Sequence, residues 1–342
     1  MTSICKDCFE DREIKGFIIS QGKVSSCNFC NSNDKEAILA NEILDFFEEL
    51  FSNIEIDNSK NGIALCSLIQ ADWSLFRNLD IAKNFLNTVI YELNTPFNNS
   101  DILVKYSEDI LLNVNHWFVL KEQLKWERRY ITDINYLVDE LGWDGFFDSK
   151  VSIESEDILY RARLHHRNNC KEFPFEEMFC PPKEISTAGR ANPMGIPYLY
   201  LSDSPETVLY ETRSTYLDEL SIGEFKLKQD ISENVFISDF TEVPTIYHPS
   251  EVSKKIKSKL LKRYIMNDLS KPLRRYDSEL DYIPTQFICE FIKIYTGVKG
   301  IKFSSSLHIM GNNYVIFDQG LFDCTKVEKL NISKVKISSN KV

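Results

Sequence analysis

The sequence predicts an α+β protein with three parts: a zinc ribbon or knuckle over 1–32, an all-helical domain over 33–148 and a mixed α/β domain over 149–342. Three observations carry this prediction. Two Cys-x-x-Cys pairs stand near the start, apolar residues at helical spacing dominate the next region, and short strand-like and helix-like segments alternate after it.

Composition limits the classes of protein to consider. The chain has 342 residues, 43% hydrophobic and 27% charged, which is typical of a folded globular protein. No apolar run approaches the roughly 18 residues of a membrane span, and the polar start predicts no secretory signal and a cytoplasmic location. The net charge of −11 argues against nucleic acid as the main partner, because such binding depends on neutralising phosphates. An anionic small ligand would need arginines held locally in its pocket.

Four cysteines form two closely spaced pairs, Cys5 with Cys8 and Cys27 with Cys30. Each pair predicts a tight turn that presents two thiolates, and four thiolates close a tetrahedral, structural zinc site. The alternative is four unrelated cysteines. Between the pairs, Gly16 to Ile19 is predicted to form a short strand.

Helical spacing then continues to about Trp143. Asn33 and Glu36 resemble a capping box, which predicts a helix through Leu39 to Leu50. Further helices are predicted over 79–93, 101–130 and 131–141. A stretch rich in Gly, Ser and Asp over 142–156 is interpreted as the domain boundary.

The last part alternates between strand-like and helix-like segments. Strands are predicted at 159–163, 197–201, 224–228, 235–240, 300–306, 313–318 and 326–337. Ser204 and Pro205 are typical of a helix start, and a second helix is predicted over 284–296, before Gly297. The stretch 254–275 holds nine Lys and Arg residues. It is interpreted as a solvated amphipathic helix, with a nucleic-acid patch as the alternative.

The stretch from Gly189 to Glu211 is the best candidate for the chemistry. It places Arg190 on a loop, Tyr200 on a strand and Glu211 on the following helix, and these three side chains could converge on one cleft. Taken singly, each residue has a plainer interpretation: a loop charge, a core tyrosine and an exposed helix acid.

Four separated segments resemble the RES-domain family in the same order. They read LYR at 159–161, GRANPMGIPYLYLSDSPETVLYE at 189–211, YIPTQFICEF at 282–291 and GIKFSSS at 300–306. The resemblance implies an ADP-ribosyltransferase-like fold, NAD as substrate and a bacterial toxin or defence role. The N-terminal half resembles the zinc-bearing HEPN-like domain that accompanies some RES domains.

The resemblance also implies roles for particular residues. Arg190, Tyr200 and Glu211 match the family arginine, tyrosine and glutamate, and Arg161 matches a frequent arginine after the first strand. The family serine falls on Ser305. Because the family commonly has proline before that serine and this chain has Ser304, the choice between Ser304 and Ser305 stays open.

These residue types suit cleavage of the nicotinamide–ribose bond. Glu211 would stabilise an oxocarbenium-like state, Arg161 and Arg190 would hold the diphosphate, Tyr200 would pack by the nicotinamide ribose or ring, and Ser305 would hydrogen-bond the ligand. Two alternatives are an ADP-ribosyltransferase that modifies a macromolecule and a non-catalytic binding module. The sequence leaves open whether the ADP-ribose is transferred to water or to phosphate. It also leaves open whether the activity is regulated by an antitoxin, by homo-oligomerisation or by the N-terminal half.

Overall fold

The computed structural model describes residues 2–59, 62–148, 150–167, 170–271 and 279–335. Its contacts divide the chain into two compact units, one formed by 1–116 with 243–260 and the other by 117–242 with 261–342. The domain boundaries predicted from the sequence, at 32/33 and 148/149, stay a prediction. Among the described helices, none is both long and apolar enough to cross a bilayer.

The first unit combines helices with two small sheets, so the prediction of an all-helical domain over 33–148 is wrong. The sheets have the strand orders β1-β3-β2 and β4-β6-β5. The strands are β1 (Ser3–Cys5), β2 (Lys23–Ser25), β3 (Lys35–Leu39), β4 (Ile54–Ile56), β5 (Ile63–Ala64) and β6 (Leu103–Tyr106). The helices are α1 (Arg12–Gln21), α2 (Leu44–Ser52), α3 (Leu65–Trp73), α4 (Leu79–Glu92) and α5 (Glu108–Trp126), the last of which continues beyond residue 116.

Several predicted elements change type in this region. Gly16–Ile19 lies within α1, because Asp11 caps that helix and Ile14 and Ile18 are buried one turn apart. The predicted capping box at Asn33 is replaced by β3, and α2 begins only at Leu44. The predicted helix 101–130 begins instead as strand β6, whose residues alternate between exposed and buried. Within 131–141 the regular element is a π-helix at Tyr136–Glu140.

The second unit contains an eight-stranded mixed sheet with the order β14-β10-β8-β9-β13-β12-β11-β7. Neighbouring strands are antiparallel except for the parallel pair β11 and β12. The strands are β7 (Lys150–Ile153), β8 (Leu159–Leu164), β9 (Leu199–Ser202), β10 (Glu219–Leu227), β11 (Val235–Asp239), β12 (Gly300–Ser304), β13 (Asn312–Ile316) and β14 (Phe322–Asn331). Residues 336–337 of the last predicted strand lie outside the described residues.

The later helices follow the local signals in the sequence. They are α6 (Pro205–Glu211), α7 (Val252–Ser270) and α8 (Ile283–Thr296). Ser204 caps α6 by accepting from the Thr207 N–H, and Pro205 is its first residue. Gly297 ends α8 in the left-handed conformation at φ +68°. Of the predicted basic helix 254–275, residues 272–275 lie outside the described residues.

Candidate active site

A cavity of about 490 Å³ lies in the second unit, where the pairing of β8 with β9 ends. In the described sheet these strands share the single pair Tyr160 and Ser202. Just beyond that pair, Arg161 of β8 and Leu201 of β9 line the cavity. The volume falls in the range of small-molecule pockets, roughly 300–1,000 Å³. The opened ladder therefore leaves room for a ligand.

Glu211 is the last residue of α6 and lines this cavity with a solvent-exposed side chain. Its Oε1 atom accepts two hydrogen bonds, from Ser305 Oγ at 2.6 Å and from Asn313 Nδ2 at 2.7 Å. Among the described residues, no hydrogen bond reaches Oε2. One carboxylate oxygen is thus fixed by the protein, and the other is available to a ligand.

The two candidate serines at the end of β12 differ in what they contact. Ser305 is buried, and its Oγ accepts from the backbone N–H groups of Leu307 and His308, each at 3.1 Å. Since both lone pairs are engaged, the single hydroxyl hydrogen points to Glu211. Ser304 contributes its backbone carbonyl, which accepts from Ser270 Oγ at 2.8 Å. Of the two, the described structure brings Ser305 against the carboxylate.

Arg190 lies between the cavity and the C-terminal end of α7. Its Nη1 donates to the carbonyl oxygens of Asp268 at 3.2 Å and Leu269 at 3.1 Å. A cation is favourable there, because the last carbonyls of a helix carry partial negative charge. The guanidinium carbon lies 5.9 Å from the ring centroid of Tyr282. Partial burial lowers the pKa of Arg190, and the nearby Tyr282 and Glu211 act in the opposite direction, raising this pKa.

Tyr200 fixes the loop that carries Arg190. Its hydroxyl accepts from the Ala191 N–H at 3.0 Å and donates to Asn192 Oδ1 at 2.8 Å. The loop approaches so closely that a Cβ added at Gly189 would lie 2.4 Å from Asn192 Oδ1 and 2.7 Å from the Tyr200 hydroxyl oxygen. Burial raises the pKa of Tyr200 above its ordinary value. The hydroxyl is thus occupied by the loop, while the residue still lines the cavity.

Arg161 has incompletely satisfied hydrogen-bonding capacity. Its Nη1 is buried and has no hydrogen-bond partner among the described residues. Burial lowers the pKa of Arg161, and the Cys180 thiol is the neighbour that opposes this shift most. Because a thiol is a weak acceptor, the guanidinium lacks the anionic partner that a buried cation normally has. An anionic ligand in the cavity would supply one.

Two residues of the site, Arg213 and Asn313, were not predicted from the sequence. Arg213 lines the cavity two positions after Glu211, and its backbone is left-handed at φ +51°. Asn313 lies on β13 opposite Ser202 and accepts from the Ser202 hydroxyl at 2.7 Å. Neither gives a distinctive sequence signal, since each is a single polar residue near an element end. Their positions follow from strand register and from the course of the chain after α6.

The four predicted cysteine ligands come together in the first unit. The sulfur of Cys5 lies 3.8 Å from that of Cys8 and 3.5 Å from that of Cys30, and the Cys8 and Cys27 sulfurs are 3.5 Å apart. Burial raises the pKa of Cys5 to about 12, while the hydrogen bond from Cys8 lowers the pKa of Cys27 to about 4. All four ligand atoms lie within 4.8 Å of one another and could hold a metal ion. In a tetrahedral zinc site with Zn–S bonds of about 2.3 Å, the sulfurs lie about 3.8 Å apart, which is close to the sulfur–sulfur distances found here.

The second unit is therefore an α/β structure whose sheet opens onto an arginine-lined cavity with one fixed carboxylate. A model of the family described as "RES domain" matches residues 158–334, more than half of the chain. The chain belongs to the RES-domain family, which is generally associated with NAD-related toxin activity. No curated protein and no solved structure matches it.

Proposed function

We propose that this protein cleaves the nicotinamide–ribose bond of NAD. The observation that carries the proposal is Glu211, whose Oε1 is held by Ser305 and Asn313 beside a cavity that Arg161, Arg190 and Arg213 also line. We also assign the eight-stranded sheet and its helices to the ADP-ribosyltransferase-like class of folds, as the family resemblance implies.

The bond breaks through a state in which positive charge grows on the ribose. A carboxylate fixed beside that charge lowers the free energy of the transition state more than it lowers the free energy of the bound substrate. This difference accelerates the reaction. Glu211 Oε2 is the group proposed for this role, either facing the charge or holding a ribose hydroxyl. Nicotinamide leaves as a neutral molecule, so the step needs no general acid.

The arginines suit the diphosphate of NAD. Arg161 offers a buried guanidinium with an unpartnered Nη1, Arg190 is fixed by its loop and by the end of α7, and Arg213 lines the same cavity. Guanidinium groups match phosphate oxygens in pairs, which an ammonium cannot do. The whole chain carries a net charge of −11. This cluster of arginines nevertheless gives the cavity a local positive charge, which favours binding of the anionic dinucleotide.

Two residues act mainly by positioning in this proposal. The Tyr200 hydroxyl holds the Arg190 loop, which leaves the ring to pack by the nicotinamide ribose or ring. The Ser305 hydroxyl donates to Glu211, so it orients the carboxylate instead of reaching the ligand directly. Ser304 is kept as the second candidate for a ligand contact.

The biological role proposed is that of a bacterial toxin or defence effector acting in the cytoplasm, restrained by an antitoxin, by oligomerisation or by its own N-terminal half. That half is proposed to be HEPN-like and to carry a structural zinc ion on Cys5, Cys8, Cys27 and Cys30. A zinc ion bound by four thiolates has no open position, so it would stabilise the fold and take no part in the reaction.

Expression in bacteria tests the proposal, with cellular NAD and growth measured together. Wild type is expected to lower both. Glu211→Ala is expected to restore both, whereas Glu206→Ala, which removes an exposed acid from the first turn of the same helix, should behave like wild type. Undiminished NAD in these cells, together with no nicotinamide release by the purified folded protein, would refute the proposal and favour a non-catalytic binding module.

Labelled NAD identifies the acceptor. Free nicotinamide with ADP-ribose indicates hydrolysis, and nicotinamide with phosphorylated ADP-ribose indicates phosphorolysis. Label on a macromolecule would instead support the alternative, an ADP-ribosyltransferase.

A further inference from the structure

Asn313 makes the second of the two hydrogen bonds that hold the Glu211 carboxylate. Its Nδ2 lies 2.7 Å from Glu211 Oε1, and its Oδ1 accepts from Ser202 Oγ at 2.7 Å. Ser202 is buried and faces Asn313 across the β9–β13 ladder. The strand register therefore places an amide between a buried hydroxyl and the carboxylate.

The chemistry of these neighbours fixes the orientation of the amide. An ionised carboxylate only accepts hydrogen bonds, so the NH₂ group must face Glu211. The amide oxygen then faces Ser202, whose hydroxyl can donate. The reversed amide would put two acceptor oxygens 2.7 Å apart.

The two donors to Glu211 found among the described residues are uncharged, and both reach the same oxygen. Ser305 and Asn313 bond Oε1, and among the described residues no hydrogen bond reaches Oε2. A cation in their place would neutralise the carboxylate that is needed against the developing positive charge. Neutral donors fix its direction while leaving the full negative charge in place.

We propose that Asn313 is a positioning residue for the reaction, which holds Glu211 through Oε1 so that Oε2 faces the ribose. This inference rests on the proposed cleavage of NAD. Among the described residues, the charged groups near Glu211 include Arg190, which interacts with it electrostatically, and Arg213 in the same cavity wall. His308 of the neighbouring loop bonds Thr207 Oγ1 and stacks on Tyr210 of α6.

The test compares Asn313→Asp and Asn313→Ala with Asn312→Ala, each in the whole 342-residue chain. Asn312 is the matched control because it is the adjoining residue of the strand, and its N–H and side chain bond Asp203 instead of Glu211. Asn313→Ala is expected to lower kcat roughly tenfold with KM within about threefold, whereas Asn312→Ala keeps both near wild type. Equal kcat values in the two folded alanine variants would overturn the inference.

Asn313→Asp gives a signature that a merely structural role would not produce. Two carboxylates at hydrogen-bonding distance cannot both stay ionised at low cost, so they bind one shared proton as the pH falls. Relative to wild type at the same pH, we expect kcat of this variant to be roughly 100-fold low at pH 8 and this deficit to shrink toward pH 5. A profile parallel to that of wild type would contradict the inference.

A readout without NAD separates this inference from the proposed function. In a ¹³C NMR titration of labelled side-chain carboxylates, Asn313→Asp should show two coupled steps that wild type and Asn312→Ala lack. Independent titration of the introduced carboxylate would overturn the placement of Asn313. Absence of nicotinamide release by wild type would refute the proposed function alone.

Discussion

Arg161 gives the sharpest prediction, because its loss should move stability and ligand binding in opposite directions. Without a ligand, Nη1 is a buried donor without a partner among the described residues. An unsatisfied buried group costs about 1–3 kcal/mol, and more if charged. Arg161→Met keeps the apolar stem and removes the guanidinium, so it should stabilise the protein by about 1–2 kcal/mol, or roughly 1–3 °C in Tm for a chain of this length.

The same change should weaken NAD binding. Hydrogen bonds to charged groups contribute about 1.5–3 kcal/mol, which corresponds to a Kd roughly 10–100 times higher. Calorimetric titration with NAD in a Glu211→Ala background measures this without turnover, and differential scanning fluorimetry measures Tm with and without NAD.

Arg163→Met provides the matched control on the same strand. The Arg163 guanidinium carbon lies 6.0 Å from the Phe173 ring centroid, and this residue is not part of the described cavity wall. We expect Arg163→Met to lower Tm slightly through loss of that contact and to leave NAD binding unchanged. A drop in the Tm of Arg161→Met together with an unchanged Kd would refute the assignment of Arg161 as an anion ligand.

Two further predictions concern other parts of the molecule. Metal analysis should find one zinc ion per chain. Cys27→Ser or a strong chelator should remove the ion and lower Tm, because metal binding to the four thiolates contributes directly to folding. Retention of zinc in Cys27→Ser would contradict the assignment. Gly189→Ala should weaken NAD binding about tenfold with the fold retained, because the added Cβ would lie 2.4 Å from Asn192 Oδ1 and displace the Arg190 loop. Calorimetric titration with NAD measures the Kd. A Kd equal to that of wild type would show that the loop does not hold the ligand.

The parts of the fold that could be predicted are those that depend on local chemistry. The start of α6 follows from the hydroxyl of Ser204 and the ring of Pro205, and the end of α8 follows from the glycine at 297. The cysteine cluster follows from pair spacing alone. Each of these signals lies within a few residues of the feature that it predicts.

The elements that could not be predicted depend on distant neighbours. Gly16–Ile19 is an apolar run of four residues, which by itself fits a strand as well as a buried helix segment. Strand β3 pairs with β1 and β2, and β6 pairs with β4 and β5, so their strand conformation depends on partners that a helical window does not include.

The site shows the same division. Arg190, Tyr200 and Glu211 lie in one continuous stretch whose turn, strand and helix signals could be recognised together. Asn313 reaches Glu211 only because β13 is the neighbour of β9, and the choice of Ser305 depends on the backbone N–H groups that its Oγ accepts from. Such contacts depend on register, which a single sequence does not specify.

Nicotinamide release from NAD by the purified protein tests the central claim most directly, with wild type compared to Glu211→Gln. The glutamine keeps the shape of the side chain and an oxygen that Ser305 and Asn313 can bond, and it removes the charge. We expect steady release by wild type and a rate about 10²–10³ times lower in the variant, with NAD affinity largely retained. Equal rates for the two proteins would contradict the claim that the Glu211 charge drives the reaction.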